Sequence, residues 1–566
     1  MTDEAQPLAP LPRLLLVGTA FLVHLALGPG WLLRDGTPLG PLALAGWALA
    51  ASRPGPGKRW IDALTFGAMY VGQTNWMGIV FWFAVPWVFV GSSLYGALAG
   101  EACLRLGRRL PLALAAPLAW IGAESLLAVV PPPLGLPWLR VGHAFSGWIE
   151  LAGSGRVWGV VGLGWTLVAL AGLLADLVRG RGRAPRAAWI GGLLPVGLAV
   201  LLPLLVPAPE TGPGPRILLV QPAFEQARKQ VTGTPEELFA ESVALTEGAL
   251  ARLEEQGAPA PELVCWGETM LPFPLAEEGL GGTIERLEVD PWHPLGGLAP
   301  SERPAILQRL GELEGWVERA LFRPRRGQPR LLPPGTSFLS GVETYAGHEG
   351  RLRRSNSVVL WRDGERAGVG GKQHLAPGGE TMVGLERFEL VRDIIYEVGG
   401  YVPDFLPAER TEVLELAGEG ESWRMATGIC FDNAFTDVFA GPLRREPVDL
   451  HLVVTNEAWY RDSQELDQMI AFSRLYALCT GRAVVRCANS GISAALGPDG
   501  RELARLEVDG RDREVRGTLV VDVPVPDDPA ARTPFVRIEP WLLPLAALAP
   551  LALLLALRAR RGTEER

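Results

Sequence analysis

The chain has 566 residues, of which 48% are hydrophobic and 19 are Trp, with a formal net charge of −9. A soluble protein of this length is rarely so apolar, so the average conceals two unlike parts. The negative balance arises mainly in the polar middle and argues against a nucleic-acid partner. Five Cys do not make a disulfide scaffold.

The N-terminus, MTDEAQPLAP, is acidic and lacks the basic start of a cleavable signal peptide. The apolar stretch after Arg13 therefore reads as a retained first helix. Crossing roughly 30 Å of hydrocarbon takes about 20 apolar residues. Candidate spans fall at 14–31, 38–52, 61–82, 84–104, 111–131, 158–178, 188–207 and 541–557, a count of eight. The first two are short and interrupted by Gly and Pro, so one of them is expected to be tilted or only partly inserted. Arg and Lys cluster at 53–59, 105–109, 179–186 and 558–561, after spans 2, 4, 6 and 8. With the N-terminus inside, every cluster is cytoplasmic, as the positive-inside rule expects. The loops of the other side, 132–157 and 208–540, carry no comparable cluster beside a span, so the polar region is expected to face outward. Trp60, Trp76, Trp82, Trp87, Trp120 and Trp138 read as interfacial aromatic belts. Glu101 is expected at the interface beside the 105–109 cluster, and Glu124 lies near an apolar run where an acid is costly.

Three parts follow: a helical membrane bundle over 1–210, a polar catalytic domain over 215–535, and a C-terminal transmembrane helix over 541–557. In the polar domain, strand-like runs recur at 217–222, 263–268, 337–345, 357–361, 425–432, 451–456, 483–491 and 518–524. Several are continuous Val/Ile/Leu runs, which suits strands buried on both faces. Helical patterns lie at 235–256 and 465–481, the second ending at Gly481 as a C-cap. A hairpin turns at Pro498-Asp499-Gly500. The fold class expected is an α/β domain, two sheets sandwiched with helices outside. Residues 275–334 show no clear periodicity and read as an insertion or mobile loop, and 381–412 as a second long connection.

Chemistry concentrates in three stretches: CWGET around Glu268, GGKQHLAPGGE around Lys372 and ATGICFDNAF around Cys430. Cys430 ends an apolar run and is followed by Phe431, Asp432 and Asn433, which places it where a strand meets a turn and gives it the exposure a nucleophile needs. Taken alone, a Cys is more often a buried structural residue, and Cys265, Cys479 and Cys487 read that way. Glu268 ends a strand beside Trp266, a position expected to let its carboxylate take a thiol proton. Lys372, in a Gly-rich loop, is a cation able to stabilise a thiolate and a developing oxyanion. A base, a cation and a thiol in this order specify acyl transfer through a thioester.

The order Glu, Lys, Cys with the string K-x-H-L-x-P-x-x-E resembles the nitrilase, or carbon–nitrogen hydrolase, superfamily. Its placement between seven preceding spans and one following resembles that superfamily's membrane-embedded apolipoprotein N-acyltransferases, over nearly the whole chain. TNEAWY at 455–460 resembles the family's N-D-A-W-F segment, and the stretch from Gln468 through Gly491 its helix-then-strand signature. The resemblance implies that an acyl chain passes from a phospholipid to the cysteine, then to the N-terminal α-amino group of a diacylglyceryl-cysteine lipoprotein, by a ping-pong mechanism. By position it makes Glu268 the base, Lys372 the oxyanion cation and Cys430 the nucleophile, with Glu380, Phe431, Asp432, Asn456 and Trp459 supporting. It implies a monomer in the bacterial inner membrane, in contact with membrane lipids, its catalytic domain on the periplasmic side. No cofactor or metal is expected, and no His/Cys/Asp ligand set stands against that. The chain departs from the family pattern at Phe431-Asp432, where Tyr-Glu is usual, and at Asn456-Glu457, where Asn-Asp is usual. The alternative is a membrane-anchored amidase or nitrilase with water as acceptor, which the same three residues would serve. A soluble amide has no need of a helical bundle, whereas two lipidated substrates do. A silent scaffold or a transporter fits less well, since the three residues are intact and no intramembrane charge series is present. Segments 269–275 and 457–462, the latter with Trp459 and Tyr460, are candidate gates beside the site.

Overall fold

The computed structural model describes residues 6–564 except 81, 83, 132–133, 325–328, 400–401 and 419. The chain divides into two compact units: Met1–Ala208 with Ser463–Gly481 and Arg532–Arg566, and Pro209–Asp462 with Arg482–Ala531.

The first unit is helical. Among its described residues five helices are long and apolar enough to cross a bilayer: Ala84–Gly107, Leu112–Val129, Gly155–Arg179, Arg186–Leu205 and the apolar part of Pro534–Glu564. The protein is a membrane protein. The other three expected spans correspond to shorter helices, Pro10–Ala26, Gly40–Ala51 and Lys58–Thr74. At about 1.5 Å rise per residue, Gly40–Ala51 falls well short of a hydrocarbon core of roughly 30 Å. Lys58–Thr74 starts with Lys58, Arg59 and Asp62, and the buried Lys58 pairs with Asp62 and donates to the carbonyl of Gly100 at 2.8 Å. Glu101 pairs with Arg105 at 2.7 Å, as its place beside the basic cluster implied. Glu124 accepts from Trp120 Nε1 at 2.7 Å and from the backbone N–H of Val141 at 3.1 Å, so it is satisfied within the unit.

The Trp residues split. Trp60, Trp82 and Trp87 are exposed, whereas Trp76, Trp120 and Trp138 are buried and are not belt residues. Trp76 and Trp138 both donate from Nε1 to Gln468 Oε1, at 3.1 and 2.6 Å. Gln468 lies on Glu465–Thr480, a helix that groups with the helical unit although strands of the polar unit flank it in sequence. Of its residues only Arg474 is not buried, so its apolar stripe is one part of a surface covered all round.

The second unit is a sandwich of two sheets. Its strands are β1 Arg216–Gln221, β2 Leu263–Trp266, β3 Ser337–His348, β4 Arg351–Arg362, β5 Glu365–Gly371, β6 Val413–Ala417, β7 Ser422–Ile429, β8 Leu450–Thr455, β9 Ala483–Ala488, β10 Ala494–Leu496, β11 Glu502–Arg505 and β12 Gly517–Asp522. One sheet runs β12-β1-β2-β3-β4-β5, with Leu275–Ala276 also pairing β3; the other runs β11-β10-β9-β8-β7-β6. β1, β2 and β3 are mutually parallel, and so are β7, β8 and β9. The period of two sorts the side chains. Ile217 and Leu219 face an inner core with Leu263, Leu339, Ile429, Leu452 and Val485. Leu218 and Val220 face outward, under Leu238, Phe239 and Val243 of the helix Pro235–Glu255. Thr234 and Glu237 close a capping box at the start of that helix.

The described residues of 275–334 are more ordered than their composition implied. They carry the helix Arg303–Val317, and Leu280, Ile284, Leu295, Leu307 and Leu310 form a core with Tyr345 and Leu352. The apolar positions are irregularly spaced because several short turns contribute them, so no period was visible. The connection at 381–412 likewise contains a helix, Glu389–Gly399.

Candidate active site

The ends of four strands supply the site. Glu268 follows β2, Lys372 follows β5, Cys430 follows β7 and Asn456 follows β8. In the parallel parts of both sheets these are carboxyl ends, where α/β folds gather polar groups.

Lys372 is only 2% exposed. Its Nζ lies 2.8 Å from Glu380 Oε2 and 3.4 Å from Glu268 Oε1. Asn356 bridges the same two carboxylates, donating from Nδ2 to Glu268 Oε1 and Glu380 Oε1, each at 2.7 Å. The other oxygen of Glu268 accepts from the backbone N–H of Asn456 at 2.8 Å, and the other oxygen of Glu380 from that of Ala376. Burial works against the Lys372 ammonium, but Glu380, Glu268 and Cys430 together outweigh it and hold its pKa above the ordinary lysine range. Lys372 is thus a permanent cation in electrostatic reach of Cys430.

Cys430 is 7% exposed, so the turn that carries it is covered, contrary to the open thiol expected of a strand end. It holds φ +49°, a left-handed conformation rare for a residue with a Cβ. Such strain concentrates where a fold must project one side chain from a tight corner. Asp432 fixes that corner. Its carboxylate accepts from the backbone N–H groups of Ile429 at 3.0 Å, His374 at 2.7 Å and Gln373 at 3.4 Å. It therefore joins the Cys430 turn to the loop after Lys372. Burial pushes the Asp432 carboxyl up to about 6, against the pull of Lys372 and His374. Phe431 is buried edge-on to Phe435, which stacks on His374. Among the supporting residues, Trp459 stands apart: it is 40% exposed, on the turn Glu457–Trp459. Glu457 is buried against Arg486 and accepts from the backbone N–H of Ile492 at 3.1 Å, which anchors that turn.

Sequence reasoning missed Asn356, Gln226 and Lys229, whereas Asn489 lies in the 468–491 stretch already singled out. Asn489 donates to Asn456 Oδ1 at 2.8 Å, and Asn456 donates to Gln226 Oε1 at 3.0 Å. Asn356 is a lone amide inside the strand run RRSNSVVLW, the one signal that marked it. Among the described residues no cluster of His, Cys, Asp and Glu is arranged to hold a metal. The arrangement offers a buried carboxylate, a fixed cation and a thiol on a strained corner, the groups a thioester route needs.

Residues 19–173 match the apolipoprotein N-acyltransferase N-terminal domain, and residues 336–527 match the carbon–nitrogen hydrolase domain. An apolipoprotein N-acyltransferase of Azotobacter vinelandii is 28% identical over 94% of this chain and 97% of its own length. The chain is similar to apolipoprotein N-acyltransferases over nearly its whole length. A second apolipoprotein N-acyltransferase, from Bradyrhizobium diazoefficiens, is 26% identical over 79% of this chain and 73% of its own. Among solved structures, the amidase from Nesterenkonia sp. AN1 aligns at 17% identity over 55% of this chain and 94% of its own, with a TM-score of 0.32. This likeness spans both parts of the chain, the helical unit and the sheet sandwich.

Proposed function

We propose that this protein is an N-acyltransferase that moves an acyl chain from a phospholipid to the N-terminal α-amino group of diacylglyceryl-cysteine lipoproteins. The observation that carries this reading is the buried Glu268–Lys372–Glu380 cluster, in electrostatic reach of Cys430, in a chain that also holds a membrane bundle. Glu268 takes the thiol proton as Cys430 Sγ attacks an ester carbonyl of the donor. Lys372 stabilises the oxyanion. The C–O bond then breaks, and the lysophospholipid leaves with the proton held by Glu268. In the second half, the lipoprotein amine attacks the thioester and gives its proton to Glu268. The amide forms and the C–S bond breaks. Glu268 returns the proton to Cys430, as ping-pong chemistry requires. Glu380 holds Lys372 in place, and Asp432 holds the Cys430 turn. The enzyme acts as a monomer in the bacterial inner membrane, with the sheet sandwich on the periplasmic side, a side supported by the four basic clusters on the opposite loops.

The test uses full-length protein in detergent with a phospholipid labelled in its acyl chains. Wild type is expected to gain a hydroxylamine-sensitive label, and Cys430→Ser to gain none. Adding a diacylated lipopeptide should move the label onto the peptide as an amide. Release as free acid instead would mark a hydrolase, and a labelled Cys430→Ser protein would end the thioester reading.

A further inference from the structure

Lys229 is a second cation beside the site, with no part in the acyl-transfer steps. It lies on the turn Arg228–Thr232, after β1 and before the helix Pro235–Glu255. Its Nζ donates to Thr269 Oγ1 at 2.8 Å and to the backbone carbonyl of Glu268 at 3.3 Å, and lies 3.9 Å from Met270 Sδ. One ammonium thus touches three consecutive residues, of which the first is the proposed base.

That corner is strained. Thr269 holds φ +51°, and a β-branched residue in the left-handed region costs about 1–3 kcal/mol unless its surroundings hold it there. From β3 the corner is gripped at the Gly341 carbonyl, which accepts from Met270 N at 3.0 Å and from Leu271 N at 3.4 Å. The second grip is Lys229. The same segment reaches Glu268 by a second route. Gln226 accepts from Asn456 Nδ2 at 3.0 Å, and the backbone N–H of Asn456 donates to Glu268 Oε2 at 2.8 Å. Ala223 N donates to the Asn489 carbonyl, and Phe224 exchanges hydrogen bonds with the Asn489 side chain, so the segment is tied down at its start.

We propose that Lys229 is a positioning residue for Glu268: its ammonium clamps the Glu268–Thr269 corner in its strained conformation and so aims the Glu268 carboxylate at Lys372 and Asn356. Burial pushes the Lys229 ammonium down to about 8, opposed by Glu268. The proposal rests on Glu268 as base and Cys430 as nucleophile.

The test compares full-length wild type, Lys229→Met, Lys229→Arg and Lys229→Met/Thr269→Gly in detergent. The readouts are the rate of acyl-protein formation against the concentration of labelled phospholipid, and the rate of iodoacetamide alkylation of the Cys430 peptide. Lys229→Met is expected to lower the saturating acylation rate about 10- to 100-fold, the cost of a misplaced catalytic group. Its half-saturating phospholipid concentration should be unchanged, and Cys430 alkylation should slow in parallel. Lys229→Arg should retain most of the rate. Glycine adopts positive φ without strain, so the double variant should recover at least about threefold over Lys229→Met. Acylation within about twofold of wild type in Lys229→Met overturns the proposal. So does a raised half-saturating concentration at an unchanged rate, or no recovery when Thr269→Gly is added. If Lys229→Met fails to fold, Lys229→Arg and Thr269→Gly alone decide, since both should keep normal alkylation. If wild type forms no acyl-protein, the functional reading falls, and the alkylation rates still decide the clamp.

Discussion

Glu380 holds Lys372 more closely than Glu268 does: its carboxylate lies 2.8 Å from Nζ, against 3.4 Å for the proposed base. The closer carboxylate carries the ion pair, which leaves Glu268 free to exchange protons without losing the cation. Replacing Glu380 by Gln keeps the size and removes the charge. A hydrogen bond to a charged group is worth about 1.5–3 kcal/mol, so Cys430 acylation should slow about 10- to 100-fold. Pre-steady-state labelling with phospholipid measures this. An unchanged rate would mean that Glu380 does not hold the cation.

Asp432 gives a pH dependence of fixed sign. Its folded pKa, about 6, lies above the ordinary aspartate value of about 4, so the folded protein binds this proton more tightly than the unfolded chain. The stabilisation from this group is complete below about pH 4 and is lost as pH rises through about 6. The thermal midpoint of wild type minus that of Asp432→Asn should therefore shrink between pH 5 and pH 7. Function runs the other way. The N–H groups of Ile429, His374 and Gln373 need an acceptor, and a protonated carboxyl turns one oxygen into a donor. Wild-type acylation should fall below about pH 6, whereas Asp432→Asn should be about tenfold slower throughout, with no break there. A break of the same size in the variant would assign it to another group.

The two sheets and the ends of their strands were legible because buried parallel strands are written as continuous β-branched runs, and the residue after the run is where polarity returns. Glu268 and Cys430 stand at such positions. Lys372 was visible only through its glycines and the string after it. What stayed hidden depends on pairs far apart in the chain. Asn356 is one amide in a strand, and its meaning lies in Glu268 and Glu380, 88 and 24 positions away. Nothing local marks Lys229, whose meaning lies in Thr269, 40 positions away. The helix 465–480 showed an apolar stripe, but nothing local marked Gln468 as the acceptor of Trp76 and Trp138. The insertion hid its core because that core is assembled from short turns rather than from one periodic element.

Gly341 tests how tightly the base is seated. A Cβ added there would lie 2.5 Å from Glu268 Cα, 2.7 Å from Thr269 N and 2.9 Å from the Gly267 carbonyl oxygen. All three are backbone atoms of one corner and have no rotamer to yield, so Gly341→Ala must displace Glu268. A misplacement of this order costs about 100-fold in rate. Gly379→Ala, where nothing lies within 4 Å of an added Cβ, is the control and should stay within about twofold of wild type. Equal activity in the two variants would show that the corner is not rigid.

The insertion reaches the site through one aspartate. Asp404 accepts from Trp292 Nε1 at 3.0 Å and from Arg354 Nε at 3.1 Å. Its neighbour Phe405 donates its N–H to the Glu380 carbonyl at 3.0 Å and lies under the Arg354 guanidinium. Trp292 also sits under Arg392, on the helix Glu389–Gly399. It therefore holds the 381–412 connection at two places, beside Glu380 and along its helix. Trp292→Phe keeps an aromatic face for Arg392 and removes the donor to Asp404. One lost hydrogen bond of about 1 kcal/mol corresponds to roughly fivefold. Limited trypsin cleavage at Arg387 and Arg392 should therefore become a few-fold faster, with a comparable loss in acylation rate. Faster cleavage with full activity would separate the latch from the site; unchanged cleavage would show that the connection is held without Trp292.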